Sequence, residues 1–220
     1  MRQSSLFIVR RAVLGPATLG VFLGTTLEAS FYTWQSHGNP IAHEWHEAAN
    51  WTGADPGFPS AQNDTALISG QTVFYPKLDG NYVIGTLILE QGGVLWTGDG
   101  PDPGDVNFRL GVSAVNGGTG RTTVRDNISR LDIYRSSNSN DLDTDELVIG
   151  NGGTVRLLQG GMVQIDDFLD IQPGGTLSGT GDIEFTQDDG TTPSCNDGVI
   201  RAIGGALTIH GVPGAVLDLD

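Results

Sequence analysis

The stretches LVIGNGGTV (residues 147–155) and LDIQPGGTL (residues 169–177) align without a gap and begin 22 residues apart. A third copy, LILEQGGVL (residues 87–95), begins 60 residues before the first of them. All three place a leucine and a second aliphatic residue before a Gly-Gly pair and end on another aliphatic residue. A pattern that recurs at such a period is typical of a solenoid, in which each repeat buries its apolar side only by stacking on its neighbours.

Short strands with apolar residues at alternate positions surround these glycine pairs. TVRL (154–157), MVQI (162–165), FLDI (168–171) and DIEF (182–185) each have apolar second and fourth residues and a polar third residue. This alternation predicts strands with one buried and one solvated face. Their leading apolar positions are 6 or 8 residues apart, so three strands use about 22 residues. We therefore predict an all-β, three-sided parallel β-helix with about 20–22 residues per coil. Roughly six to eight coils would make a rod of about 30–40 Å.

Composition restricts the partners that such a solenoid can have. The chain has 33 glycines and a single cysteine, Cys195, so no disulfide can form within it. Beyond residue 30 it contains 8 Lys or Arg and 25 Asp or Glu, a net charge of −17. This charge repels nucleic acid and anionic lipid, and we predict neither as a partner. Cations and basic partners are compatible with it.

Residues 1–30 have the pattern of an export signal peptide. Arg10 and Arg11 precede an uncharged, largely apolar stretch over residues 12–24, and small residues follow at Ala29 and Ser30. The apolar stretch is shorter than the ~20 residues that span a bilayer, so we predict no transmembrane span. The paired arginines are similar to a loose twin-arginine signal. A secreted or cell-surface location follows, by the twin-arginine or the general secretory route; the alternative is a buried N-terminal helix.

The next segment, residues 31–65, is predicted to be a cap on the first coil. Three of the four tryptophans, Trp34, Trp45 and Trp51, lie in it. An open terminal coil would expose apolar side chains and unpaired strand edges, which these rings would cover. The alternative is an aromatic sugar-binding platform. The solenoid is predicted over residues 66–220, and the sequence ends within the strand-like VLDLD (216–220). We therefore expect either a longer natural protein or stacking and self-association of another chain at that end.

Two segments resemble exported bacterial surface proteins. AANWTGADPGFPSAQNDTALISG (48–70) is similar to the aromatic opening of many exported repeat proteins, and LDIQPGGTLSGTGDIEF (169–185) resembles the coils of autotransporter passenger domains. The resemblance covers roughly residues 45–220. It implies a right-handed β-helix presented at or beyond the cell surface. Neither a translocator barrel nor a C-terminal sorting motif is recognisable, so the resemblance leaves the mode of attachment open.

The candidate metal ligands fall in two places. HEWHE (43–47) spaces His43 and His46 three residues apart, whereas a zincin helix needs four. An improvised metal site, with Glu44, Glu47 and His37, and a plain polar surface are the two interpretations.

DLDTDE (141–146) provides the other candidate ligands, because Asp141, Asp143 and Asp145 alternate along the chain. Calcium prefers such oxygen ligands, although the glycine and glutamate of an EF-hand loop are missing from the required positions. We therefore predict no obligatory cofactor and a candidate calcium site at these aspartates. The alternative is a solvated acidic turn before the buried strand LVI.

No nucleophile elbow, phosphate-binding loop or dinucleotide motif is present in the sequence. Asp166, Asp167, Asp170 and Glu184 could form a carboxylate pair of a glycosidase on adjacent coils. The scarcity of arginine and lysine argues against a lyase acting on uronic acids. We predict a non-catalytic structural or adhesive surface protein that acts as a stiff spacer and takes polysaccharide or protein ligands. A polysaccharide-acting β-helix enzyme or a carbohydrate-binding module is the alternative.

Overall fold

A computed structural model of the chain describes residues 29–35, 44–53, 57–70, 76, 78, 80–97, 110–113, 119–135, 141–186, 194–211 and 217–219. Almost all of the predicted export signal, together with His37 and His43, lies outside these residues. Within them the chain is all-β apart from one short 3-10 turn at Ala48–Asn50. None of the described residues forms a helix with the length and apolar character needed to cross a bilayer.

The described residues form a series of strands that are numbered here in chain order. They are β1 (Phe31–Trp34), β2 (Trp51–Gly53), β3 (Thr65–Ser69), β4 (Tyr82–Ile84), β5 (Thr86–Glu90), β6 (Val94–Thr97), β7 (Leu110–Val112), β8 (Arg121–Val124), β9 (Arg130–Tyr134), β10 (Leu142–Ile149), β11 (Thr154–Ile171), β12 (Thr176–Phe185), β13 (Ser194–Asn196), β14 (Val199–His210) and β15 (Leu217–Leu219).

These strands stack in three parallel ladders, which form the three sides of the solenoid. Ladder A joins β1, β3, β5, β8, the C-terminal parts of β10 and β11, then β13 and β15. Ladder B joins β6, β9 and the N-terminal parts of β11, β12 and β14. Ladder C joins β4, β7, the N-terminal part of β10, the middle of β11 and the C-terminal parts of β12 and β14.

The predicted parallel β-solenoid is thus confirmed, with about five turns. Leu147 pairs with Leu169 and Val155 with Leu177, so the 22-residue repeat is one full coil. The expectation of six to eight coils was too high. Leu87 pairs with Thr122, 35 residues further on, because long insertions lie between the first rungs and lengthen those coils.

The Gly-Gly pair of the repeat forms the corner between ladders A and B. Gly152 has a φ of +82°, a left-handed conformation that glycine adopts at little steric cost. Gly153 is needed for a different reason, because a Cβ there would lie 2.4 Å from the carbonyl oxygen of Val124 on the preceding rung. The first glycine therefore turns the chain and the second allows successive rungs to approach closely.

Aliphatic side chains fill the interior in columns, one residue from each rung. Leu147, Leu169 and Leu177 are all fully buried, as the repeat predicts. A polar contact also lies in this core: the hydroxyls of Thr122 and Thr144 are 2.9 Å apart, and that of Thr144 donates to the carbonyl of Gly120 at 3.1 Å. Buried hydroxyls of this kind are tolerated because each has a hydrogen-bond partner.

The N-terminal end of the solenoid is closed by aromatic rings. β1 is the first rung of ladder A, and β2 pairs with it antiparallel on its outer edge. Trp51 contacts Trp34 and Trp45 edge-on, with ring centroids 5.1 and 4.8 Å apart. All three rings are buried, and the indole N–H groups of Trp45 and Trp51 donate to the carbonyls of Pro59 and Trp45. Buried rings cannot stack on a sugar, so the alternative of a sugar-binding platform built from these tryptophans was wrong.

The C-terminal rung is open in the part of the chain that the structure describes. β14 pairs with β12 on one side, and none of the described strands pairs with its other edge. Ile209 points inward in register with the buried Ile183, yet it is 42% exposed, since none of the described rungs stacks on it. Val199 and Ile203 on the same strand are also about half exposed.

Candidate functional site

A shallow groove lies on the outer side of ladder C. It exists because Gly111 stands between Val83 and Asp143 in the outward column of this ladder and presents no side chain. The groove has a volume of about 340 Å³. Three aspartates, one amide and one hydroxyl face it: Asp143, Asp145, Asp166, Asn81 and Ser113. It can accept hydrogen bonds from a cationic or hydroxyl-bearing group.

The structure separates the three aspartates that were predicted as calcium ligands. Asp143 and Asp145 line the groove, but Asp141 is buried at the start of β10 and its carboxylate accepts a hydrogen bond of 2.8 Å from the Met162 amide. Asp141 therefore fixes the pairing of two rungs. In the described part of the chain, no group of three or more His, Cys, Asp or Glu side chains is arranged to hold a metal ion. The calcium site stays a prediction.

Asp166 is the groove residue that the sequence did not place there. It follows the ladder C segment of β11, and its carboxylate accepts hydrogen bonds from Gln164 at 3.1 Å and from the hydroxyl of Thr186. The side chain of Gln164 also reaches Asp143 at 3.4 Å. One amide thus lies between two carboxylates from adjacent rungs and reduces their mutual repulsion.

The carboxylates that were proposed as a glycosidase pair are divided between two faces of the solenoid. Asp170 lies in ladder A, where it accepts a hydrogen bond of 3.1 Å from Gln172, whereas Glu184 lies in ladder C. A pair that cleaves a glycosidic bond must flank the same bond. Asp170 and Glu184 therefore cannot form such a pair, whereas Asp166 lines the ladder C groove on the same side as Glu184, and that pair stays a prediction.

A second cluster of charges lies on the outer side of ladder B and was missed by the sequence analysis. Asp132 points outward, yet its side chain is only 1% exposed because two arginines cover it. Arg156, on the next rung, donates to both carboxylate oxygens, from Nε at 2.6 Å and from Nη2 at 2.5 Å. Arg130 donates to the same carboxylate from Nε at 3.0 Å. The hydrogen bonds to Asp132 raise the pKa of Arg156, so it stays charged at every accessible pH.

Aromatic residues border this cluster. The rings of Trp96 and Tyr134 meet edge-on with centroids 6.4 Å apart. Burial and the charge of Asp132 raise the pKa of the Tyr134 phenol, so it remains neutral. The two arginines are about one-third exposed and keep an outer edge in solvent. The result is a rigid cationic surface with aromatic neighbours.

Ladder A differs, because its charges pair with one another between rungs. Arg121 forms an ion pair with Glu146, and Arg125 pairs with Glu90 at 2.8 Å. Exposed pairs of this kind contribute at most about 1 kcal/mol. Cys195 also lies here, exposed and in register with Asp170.

The HEWHE segment contributes to the cap. Glu47 precedes the 3-10 turn, and its carboxylate accepts a hydrogen bond of 3.4 Å from the Ala49 amide. Glu44 lies 3.8 Å from His46, and both side chains are about half exposed. Among these residues the polar cap surface is therefore the interpretation with structural support.

No family model, no curated protein and no solved structure matches the chain. The function must therefore be argued from the geometry alone.

Proposed function

We propose that the protein is an exported structural and adhesive component of the cell surface, in which the solenoid acts as a stiff, non-catalytic spacer. The observation that carries this proposal is the internal column of buried aliphatic residues, which passes through every rung from β3 to β12. Because close-packed interiors resist deformation, such a column makes a stiff rod. About five turns at a rise of about 4.8 Å give a solenoid of about 24 Å.

The charged residues support a structural role more than a catalytic one. The buried carboxylates Asp132 and Asp141 fix pairs of neighbouring rungs, and the ion pairs of ladder A do the same from outside. Of the candidate catalytic carboxylates named from the sequence, Asp170 lies in a different ladder from Glu184. Ligand binding would then be carried by the outward-facing side chains, because the packing of the core does not constrain them.

Export and surface display can be tested with the full chain in a bacterial host. The full chain should be found at the cell surface and in the medium, and the chain without residues 1–30 should be found in the cytosol. Fractionation and protease accessibility on whole cells measure the two distributions. Equal distribution of the two forms would contradict export. Incubation of the purified chain with a set of polysaccharides should release no oligosaccharide, and detected cleavage would contradict the non-catalytic role.

Self-association is proposed through the open C-terminal rung, with a second copy of the chain as occupant. The opposite end is closed by β2 and the tryptophan cluster, so two copies would meet through their C-terminal ends. β14 carries Arg201 and His210 but no acidic residue, so two copies of this strongly acidic chain do not repel at this rung. Unpaired strand edges with apolar neighbours readily pair with another strand.

Sedimentation of the full chain should show a dimer that Ile209→Asp converts to a monomer. The matched control is Ile128→Asp, since Ile128 is similarly exposed but lies in the turn before β9. A monomeric parent chain, or an equal effect of both variants, would contradict association at β14.

A further inference from the structure

Positive charge is concentrated on one side of the solenoid, although the chain as a whole is strongly acidic. The described ladder B strands carry Arg130, Arg156 and Arg201 on their outer face, with Asp132 as the only acidic residue. Arg135 follows directly after β9. The described ladder C strands instead carry the acidic residues Asp143, Asp182 and Glu184 and no arginine or lysine.

The cations of ladder B are arranged in register along the rod axis. Arg156 pairs through Ser178 with Arg201, so the two arginines belong to one outward column and stand two rungs apart. At about 4.8 Å per rung, this separation is about 10 Å. Thr154 and Thr176 occupy the neighbouring outward column at partly exposed positions. Arg156 and Arg201 thus lie on one line along the rod, and the two threonines lie on a parallel line beside it.

The guanidinium groups are held in place before any ligand arrives. Asp132 is buried beneath Arg130 and Arg156 and fixes both by hydrogen bonds. Because the arginines have fewer rotamers to lose, binding an anion costs less conformational entropy. Asp132 neutralises only one of the two charges, so the pair keeps one net positive charge. Arg201 on the exposed terminal rung adds another.

We infer that the outer face of ladder B binds a linear anionic polysaccharide, whose carboxylate or sulfate groups lie along the rod axis. Arginine forms paired hydrogen bonds with such groups, and the threonine hydroxyls can bond to sugar hydroxyls between them. Trp96, which is partly exposed and pairs in register with Asp132, supplies apolar surface beside the two arginines, whereas Tyr134 is buried. This inference rests on the proposed adhesive function and names the ligand class for it.

A polysaccharide is favoured over the other polyanions. The face holds few cations, and the net charge of −15 opposes the approach of a densely charged duplex. A glycan with one charge on each sugar or disaccharide, and hydroxyls beside the charges, better matches widely spaced arginines with a parallel column of threonines. Screening limits the repulsion from the remaining acidic faces to about 8 Å at physiological salt.

The test measures binding of the full chain to polygalacturonate by calorimetry at two salt concentrations, with neutral dextran and duplex DNA as competitors. We expect saturable binding that weakens with salt and does not occur with dextran. Arg201→Glu should lower the affinity about fivefold, the upper range for an exposed ion pair. Thr176→Lys should raise the affinity by a similar factor, since it adds a cation on the rung between those of Arg156 and Arg201.

Arg125→Glu is the matched control, because it makes the same charge change on an exposed residue of ladder A. Equal loss with Arg125→Glu and Arg201→Glu, binding to DNA as tight as to polygalacturonate, or no binding at all would overturn the inference. The chain could instead fail to bind polygalacturonate and self-associate in a salt-sensitive way that Arg201→Glu abolishes. That result would overturn the inference and identify the acidic face of a second copy as the ligand of ladder B. Export and surface display are measured separately, so they can succeed while this inference fails.

Discussion

Replacing Gly153 by alanine tests the physical reason for the second glycine of the repeat. The φ of Gly153 is not in the left-handed region, so alanine can adopt its backbone conformation. The new Cβ would nevertheless lie 2.4 Å from the Val124 carbonyl oxygen and 3.1 Å from its Cγ1 atom. To relieve this steric overlap, the two rungs must separate locally by about 1 Å, since ordinary contacts between a carbon and an oxygen atom exceed about 3 Å.

The cost of that separation follows from the bonds that cross it. The Val124 carbonyl accepts a hydrogen bond of 2.7 Å from Gly150, and the Thr154 amide donates to Ser129 at 3.1 Å. Weakening both costs about 1 kcal/mol each, and overpacking adds about 1–2 kcal/mol. We expect Gly153→Ala to lower the free energy of unfolding by about 3–4 kcal/mol.

Gly70→Ala is the control for this substitution. Gly70 has a φ of +87°, but nothing lies within 4 Å of a Cβ placed there. Its cost is therefore conformational only, about 1–2 kcal/mol. Urea unfolding followed by circular dichroism and by tryptophan fluorescence gives both values if the transitions coincide. A cost for Gly153→Ala equal to or below that of Gly70→Ala would refute the close-approach argument.

Three further substitutions test the core and two hydrogen-bonded carboxylates. Leu147→Ala, at a fully buried position, should cost about 2–5 kcal/mol in urea unfolding, and a cost below 1 kcal/mol would mean that the column is not close-packed. Burial acts to raise the pKa of Asp126, but hydrogen bonds from Ser129 and nearby backbone amides outweigh it and lower the pKa below 3.8. The stability advantage of the parent over Asp126→Asn should therefore be fully present above about pH 4 and shrink as the pH falls below that value; an advantage that grows on acidification would contradict this. Asp132→Asn removes the carboxylate that Arg156 binds through two hydrogen bonds and should cost about 2–3 kcal/mol, and an unchanged urea midpoint would show that the cluster adds nothing to stability.

The sequence predicted the parts of the fold that depend on the repeat. Alternation within each strand and the 22-residue recurrence depend on the pleat and on coil length, which are local properties of the chain. They placed Leu147, Leu169 and Leu177 correctly in the core. The number of coils depends on long insertions in the first half of the chain, and an insertion leaves no periodic signal. Pairing of Leu87 with Thr122 could therefore not be deduced.

The candidate site was harder to predict because it depends on where the chain bends. In a straight strand Asp141, Asp143 and Asp145 would point to one side. Asp141 lies before β10 begins, and the register of β10 against β11 shifts between Thr144 and Glu146. These two irregularities send Asp141 toward the Met162 amide and place Asp143 and Asp145 in the groove.

The cluster at Asp132 was missed for a related reason. A strict 22-residue period would align Arg156 with Tyr134, but the rungs pair Arg156 with Asp132, 24 residues away. The difference arises between β9 and β10, where Leu142 follows Tyr134 by 8 positions, while their partners Leu158 and Val163 are 5 apart; the shift between Thr144 and Glu146 takes one position back. A register shift of two residues keeps the same side of the strand outward, so the pattern of apolar residues is unchanged and does not reveal the shift.

The outward columns show that charge on this solenoid is not set by stability alone. Successive rungs lie about 4.8 Å apart, where two like charges directly opposite each other are destabilising. In ladder C, Gln164 stands between Asp143 and Glu184, and in ladder B, Ser178 stands between Arg156 and Arg201. In both columns a neutral polar residue thus separates two charges of the same sign, and in ladder B the column also contains Asp132 directly opposite Arg156.

Neutral residues at all of these positions would pair as well and would remove the remaining repulsion. The core makes no demand on these positions, because it is built from the inward residues alone. The presence of one cationic and one acidic side is therefore better explained by ligand recognition than by the stability of the fold. Arg201→Glu should accordingly leave the urea midpoint unchanged while it weakens polygalacturonate binding, and a matching loss of stability would return the ladder B charges to a purely structural role.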